Sequence, residues 1–393
     1  MSDKTIYLDN AASTPLRPEV LAAMLPHLQN SYGNPSSIHH KGLEAHTLLE
    51  HARESVARSL VVKPTEIVFT SGGTEANNLA LYGVAHAYST RGKHILLSAV
   101  EHPSILNAGE VLTREGFDVE YLPVNQYGEI NITNTLARVR NDTILISVML
   151  ANNEIGTIQP IEELSRALRA RESSSIPIFH TDACQATGQI PICPHTLGVD
   201  LMTINSSKIY GPKGIGLLYV REDISLCPVI VGGHQESGKR AGTENLPNII
   251  GFAKALELAS NEQQEHSALR TILRDSFISL LKEKLPQVTL NGQSVNRLPN
   301  NVHISLPNIE GESLVLMLDT YGICTATGSA CSAHNLLPSH VLRAIGQPSE
   351  IIHGSLRFSL GRNTTREDLV YTVNTLSRCV ERLEAMSPLP LHL

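Results

Sequence analysis

Four stretches of this chain carry residue types that can do chemistry together. Ser71-Gly72-Gly73-Thr74-Glu75 follows an apolar run and precedes a helical pattern. Its glycines let the backbone approach an anion, and the free N–H groups of a helix start favour negative charge. A plain tight turn fits the same residues equally well. His180-Thr181-Asp182-Ala183-Cys184-Gln185 closes a strand-like segment. An aspartate there either caps the next helix or holds the protonated ring nitrogen that a pyridoxal cofactor needs as an electron sink. Asn205-Ser206-Ser207-Lys208-Ile209-Tyr210-Gly211-Pro212-Lys213-Gly214 places Lys208 among hydroxyls and glycines, between two strand candidates. Such an amine suits a Schiff base close to a phosphate. Lys213 is its rival, and either lysine fits a solvated surface position. Ala326-Thr327-Gly328-Ser329-Ala330-Cys331-Ser332 sets a cysteine among small residues, the surroundings of an accessible nucleophile. Most single cysteines are instead buried and inert. No one stretch decides; their order along the chain does.

These groups act together only if a scaffold gathers them. Ala45, Leu48, Leu49, Ala52, Val56 and Leu60 share one face of a helix over 43–60, and Glu66–Thr70 reads as a buried strand before a helix from about Glu75. Further strands are expected at His94–Ser98, Val119–Leu122, Ile144–Leu150, Ile178–Thr181, Leu201–Ile204 and Gly216–Val220. Helices fit between them at Ser104–Glu115, closed by Gly116, and at Ile161–Arg171. Strands alternating with helices in this way imply an α/β fold with a mostly parallel sheet, whose ligands sit outside the carboxyl ends of the strands.

The pattern changes after about residue 260. Leu269, Ile272, Leu273, Phe277 and Leu280 stripe a helix, while Val302–Leu306 reads as an alternating, half-exposed strand and Leu356–Leu360 as another alternating strand. A helix over Glu312–Tyr321 ends at Gly322, and a last helix aligns Leu369, Val370, Val373, Leu376, Val380 and Leu383. These elements predict a smaller α+β domain. The expected division is a large cofactor-binding domain over 15–260, and a small domain from 1–14 with 261–393 that carries the cysteine loop.

The chain has 393 residues, 41% hydrophobic and 18% charged, which is long enough for two cores. Its formal charge of −7, with no block of like charges, argues against nucleic-acid binding. No leader pattern opens it and no stretch approaches the ~18 apolar residues of a membrane span, so a cytoplasmic protein away from membranes is expected. The six scattered cysteines form no CxxC pair and read as free thiols. The seventeen histidines show no HExxH or Cys/His cluster, and no metal is expected.

The chain resembles the NifS/IscS-type cysteine desulfurases of the class V aminotransferase branch of pyridoxal-phosphate enzymes. The likeness runs from Tyr7-Leu8-Asp9-Asn10-Ala11-Ala12 to Arg357-Phe358-Ser359-Leu360-Gly361-Arg362. It passes through Gly33-Asn34-Pro35-Ser36-Ser37, Thr70–Glu75, Glu101-His102-Pro103, Asn152-Asn153-Glu154-Ile155-Gly156, Lys208–Gly214 and Arg240-Ala241-Gly242-Thr243-Glu244-Asn245. The resemblance implies a type I pyridoxal-phosphate transferase fold, a homodimer and the cofactor pyridoxal 5′-phosphate. It also implies removal of sulfur from L-cysteine, giving alanine and a persulfide on Cys331.

By the same resemblance, Lys208 is the Schiff-base lysine, Asp182 pairs with the ring nitrogen, and Gln185 reaches the ring hydroxyl. His102 stacks on the ring and moves protons. Gly73 and Thr74 hold the phosphate together with Thr243 of a second subunit, and Asn153 and Arg357 bind the substrate carboxylate. Ser207 stands where relatives have a histidine beside the phosphate, so weaker cofactor retention is expected. The partner implied is a sulfur-acceptor protein, with an iron–sulfur scaffold among the candidates. The chain stops at Leu393, short of the tail with which some relatives dock that scaffold.

Overall fold

The computed structural model describes residues 5–171, 176–328 and 338–386. Among them the strands are, in chain order, β1 (Ile6–Tyr7), β2 (Ile67–Thr70), β3 (His94–Ser98), β4 (Asp118–Leu122), β5 (Thr143–Ser147), β6 (Ile178–Asp182), β7 (Leu201–Asn205), β8 (Gly216–Val220), β9 (Thr289–Leu290), β10 (Asn301–Ser305), β11 (Ile323–Cys324) and β12 (Ser355–Ser359). Seven of them form one sheet in the order β2-β8-β7-β6-β5-β3-β4. Within it β8 alone runs against the rest.

The expected mostly parallel sheet is therefore present, for a physical reason visible in its residues. Along each strand alternate side chains enter different cores. Leu96, Ile146, Phe179, Met202 and Leu217 pack into one cluster, and Leu97, Leu145, Ile178, Leu201 and Leu218 into another on the opposite face. Helices His40–Leu60 and Ile161–Arg169 contribute Ala45, Leu49, Leu164 and Leu168 to the first cluster. Gly73–Ala87 and Pro103–Arg114 cover the second. With both faces covered, the carboxyl ends of β2, β3, β5, β6 and β7 share one edge, free to carry function.

The C-terminal part builds a second, three-stranded antiparallel sheet, β12-β10-β9. Its core joins Val302, Ile304 and Phe358 to Phe277 and Leu281, to Leu369, Val373 and Leu376 of the last helix, and to Leu8 near the N-terminus. Phe277 and Phe358 meet edge to face at 5.2 Å. Near the N-terminus, β1 pairs with β11 in parallel as a separate two-stranded sheet.

Three expectations need correction here. β10 is buried along its whole length rather than half exposed, and its partner β12 is buried throughout as well. Their second face lies against the sheet-bearing part of the chain, where Asn301 and Arg357 find polar partners. One 39-residue helix, Leu246–Lys284, runs through the change of pattern at residue 260. On this helix Leu269 and Ile272 are 52% and 67% exposed, while Arg270 and Arg274 face inward. Arg274 Nη1 donates to the carbonyls of Arg297 and Leu298, so this part of the inward face meets a polar seam, while Phe277 and Leu281 further along enter the apolar core. On the last helix Val370 is likewise exposed.

Candidate active site

The carboxyl ends of the parallel strands converge on a cavity of about 250 Å³. Lys208, Asp182, Gln185, His102, Gly73, Thr74, Asn153 and Arg357 all line it. Of the other expected residues, Ser207 and Thr243 do not line it, and Cys331 lies outside the described residues.

Asp182 is the last residue of β6. Its Oδ1 accepts the Cys184 N–H at 2.9 Å and its Oδ2 accepts Asn77 Nδ2 at 2.8 Å. Each oxygen keeps a further lone pair, so the carboxylate can still accept from a ligand. Gln185, three residues on, donates from Nε2 to the Ala11 carbonyl at 3.0 Å. Lys208 ends a short 3₁₀ turn after β7, and its Nζ donates to the Ala12 carbonyl at 2.5 Å. The N-terminal residues Ala11 and Ala12 thus form a wall of the cavity.

Gly73 opens the helix Gly73–Ala87, where the first N–H groups have no partner within the helix. A Cβ at Gly73 would lie 2.9 Å from Cys184 Sγ, so glycine is needed for this approach. Burial pushes the Cys184 thiol well above its ordinary range, which keeps it protonated and poorly nucleophilic.

His102 caps the helix Pro103–Arg114. Its Nδ1 accepts the Ser104 backbone N–H at 3.2 Å and lies 2.9 Å from Ser104 Oγ. Burial, with Lys208 nearby, lowers its pKa against the opposing pull of Asp182, so the neutral ring is favoured.

Arg357, from β12, is 2% exposed. Its Nη2 donates to Asp9 Oδ1 at 2.9 Å and its Nη1 to the Asn153 carbonyl at 3.1 Å, while its Nε has no partner among the described residues. Asn153 is held in a turn closed by Asn152, whose Oδ1 accepts the N–H groups of Glu154 and Ile155, each at 2.9 Å. The next side chain, Glu154, is fully buried. Its Oε2 accepts from Ser339 Oγ at 2.5 Å, and a Cβ at Gly328 would lie 2.6 Å from the same oxygen. Two points of the chain on either side of Cys331 therefore meet one carboxylate.

Sequence reasoning passed over several lining residues: Asn77, Ser104, Asn205 and the backbone of Ala11 and Ala12. Asn77 did leave a signal, since it is a polar residue on an otherwise apolar helix face, four positions after Gly73 and only 1% exposed. The carbonyls of Ala11 and Ala12 leave none, because any residue would supply them.

The class-V aminotransferase profile matches residues 6–371. A cysteine desulfurase IscS of Dictyoglomus turgidum is 51% identical over 98% of this chain and 97% of its own length. The chain belongs to the class-V aminotransferase family, in its cysteine desulfurase branch. Among solved structures, a NifS-like protein covers 97% of this desulfurase-family chain and 100% of its own, with a TM-score of 0.91 and 36% identity. A structure titled SspA in complex with cysteine covers 91% of this chain and 99% of its own, at a TM-score of 0.78 and 34% identity. These likenesses establish the fold expected from the sequence, and the family's cofactor is pyridoxal 5′-phosphate.

The residues present fit that cofactor. A helix start offers donors to a phosphate, a buried carboxylate retains accepting capacity, and a lysine amine opens on the same cavity. The buried Arg357 Nε, without a partner among the described residues, adds a donor for a carboxylate.

Proposed function

We propose that this chain is a cysteine desulfurase that converts L-cysteine to L-alanine and keeps the sulfur as a persulfide on Cys331. The reading rests on the convergence of Lys208, Asp182, Gln185, His102, Asn153 and Arg357 on one cavity in a full-length relative of named desulfurases.

Pyridoxal phosphate, when bound, supplies an electron sink for the substrate's Cα. Lys208 would hold it, Asp182 would pair with its ring nitrogen, and Gln185 would reach its ring hydroxyl. His102 would lie against the ring. Gly73 and Thr74 would hold the phosphate, and Ser207 would supply one hydroxyl where relatives have a histidine. Thr243 is exposed on its own chain, which supports a homodimer in which it reaches the phosphate of the other subunit.

Arg357 and Asn153 take the substrate carboxylate; the guanidinium fork matches two carboxylate oxygens in a way an ammonium cannot. Cys331 then attacks as the thiolate. An S–S bond forms, the substrate's Cβ–S bond breaks, and the bonding pair stays on the substrate carbon. With proton uptake there, one enzyme thiol and one L-cysteine become one enzyme persulfide and one L-alanine.

The persulfide passes to an acceptor protein in the cytoplasm, with an iron–sulfur scaffold among the candidates. No helix among the described residues is long and apolar enough to cross a membrane. The cofactor domain is proposed to span 15–260, with 1–14 and 261–393 forming the small domain that carries Cys331.

Supplying L-cysteine and a thiol reductant to the cofactor-loaded protein tests the reading. Alanine and sulfide should appear in equal amounts over many turnovers. A loaded protein that releases neither acts on another amino acid.

A further inference from the structure

Ser104 and Asn77 join His102 to Asp182 without a break. Asn77 Nδ2 donates to Asp182 Oδ2 at 2.8 Å and to Ser104 Oγ at 2.9 Å. A side-chain amide nitrogen has two hydrogens, so both are engaged. The reverse orientation would set Asn77 Oδ1 against the carboxylate, acceptor facing acceptor. Ser104 Oγ accepts from Asn77 and so keeps its own hydrogen for His102 Nδ1, 2.9 Å away.

His102 Nδ1 also accepts the Ser104 backbone N–H at 3.2 Å. A backbone amide always carries its hydrogen, so Nδ1 must present its lone pair. The proton of the neutral ring then sits on Nε2. Protonating Nδ1 as well would set two hydrogens against each other at the positive end of a 12-residue helix. Lys208 and His340 also oppose a positive ring, and among the described residues Asp182 favours it.

We propose that Ser104 and Asn77 are positioning residues that lock His102 in the Nε2-protonated tautomer and tie it to Asp182. The cavity then receives an N–H donor from His102, not a lone pair. The atom it meets must be an acceptor, such as the sulfur of a thiolate or an oxygen of a carboxylate. Among the lining residues, Lys208 supplies the amine that takes up a substrate proton. This revises the proton-moving role that the family resemblance assigns to His102, and it rests on the desulfurase reading only in the identity of the ligand.

Nitrogen NMR of the full-length holoenzyme, with isotope-labelled histidine, reads the tautomer directly; loss of signals in His102→Gln assigns them. The expected result near neutral pH is a protonated Nε2 and an unprotonated Nδ1. In Ser104→Ala the Nδ1 resonance should move towards that of an unbonded imidazole nitrogen, and Ser104→Thr should restore it. A protonated Nδ1 or a doubly protonated ring overturns the proposal.

Asn77→Ala reads the other end. Without that donor, Asp182 acts as a more negative partner to the ring, so the bound cofactor's visible absorption should titrate at higher pH. An unmoved midpoint would break the link to Asp182. Absence of alanine release alongside the stated tautomer would sink the desulfurase reading alone, and the opposite pair of results would sink this proposal alone.

Discussion

Arg357 is anchored from two sides, donating to Asp9 Oδ1 at 2.9 Å and to the Asn153 carbonyl at 3.1 Å. These bonds fix the plane of the guanidinium before any substrate arrives, which lowers the entropy lost on binding. A lysine at this position keeps the charge and loses the fork. Arg357→Lys is predicted to raise KM for L-cysteine about tenfold or more, since a hydrogen bond to a charged group contributes about 1.5–3 kcal/mol. The cofactor's absorption spectrum should stay unchanged. An unaltered KM would remove Arg357 from carboxylate binding.

The Ser207 hydroxyl donates to Asn205 Oδ1 at 3.3 Å. A histidine there offers a longer donor that can reach a phosphate. Ser207→His should slow cofactor loss on dilution about tenfold, the equivalent of about 1.4 kcal/mol. Dialysis followed by absorbance checks this, and equal retention would mean the serine is no handicap.

Gly328 has no room for a side chain. A Cβ would stand 2.6 Å from Glu154 Oε2, which is buried and already holds Ser339. Gly328→Ala should cost about 1–3 kcal/mol of stability, the usual range for overpacking a closed site. Thermal melting measures this directly; a melting temperature equal to the native value would mean the carboxylate yields freely.

Acid should destabilise the fold through two buried histidines. Burial lowers His180 to about 4 and His303 to about 3. As pH falls below the ordinary value of ~6.5, the unfolded chain takes up a proton that the folded ring refuses. Stability contributed by these neutral rings is therefore complete above that pH and falls towards about 4 and about 3. The slope is about 1.4 kcal/mol per pH unit for each ring. Glu101, pushed well above the carboxylate range by burial, works in the opposite direction. The histidine contribution must therefore be read by difference: His180→Asn should show a shallower loss of melting temperature over this window. An identical slope would place the acid sensitivity elsewhere.

Much of this molecule was legible in the residues themselves. β3 and β8 fall on the residues expected, because strands buried on both faces are continuous apolar runs. The same rule explains where the reading went astray. Val302–Leu306 and Leu356–Leu360 alternate in sequence, yet β10 and β12 are buried throughout because their polar residues turn towards the cavity side and find partners there. Leu269 and Ile272 were assigned inward by apolarity, but at that point of the helix Arg270 and Arg274 face inward, and the apolar stripe begins beyond them with Phe277 and Leu281. Periodicity cannot show that a seam is polar. At the cavity, the reactive groups were legible by type and order, whereas Asn77 and Ser104 act through geometry that only the folded chain reveals.

The central claim is that Cys331 receives the sulfur, and the most direct measurement compares alanine release from L-cysteine by the native protein and by Cys331→Ala, with reductant present and cofactor bound in both. The account predicts steady release by the native protein and none by the variant, with the variant's cofactor spectrum still responding to L-cysteine. Equal release by both would contradict it, removing Cys331 from the chemistry and leaving a lyase that needs no cysteine of its own.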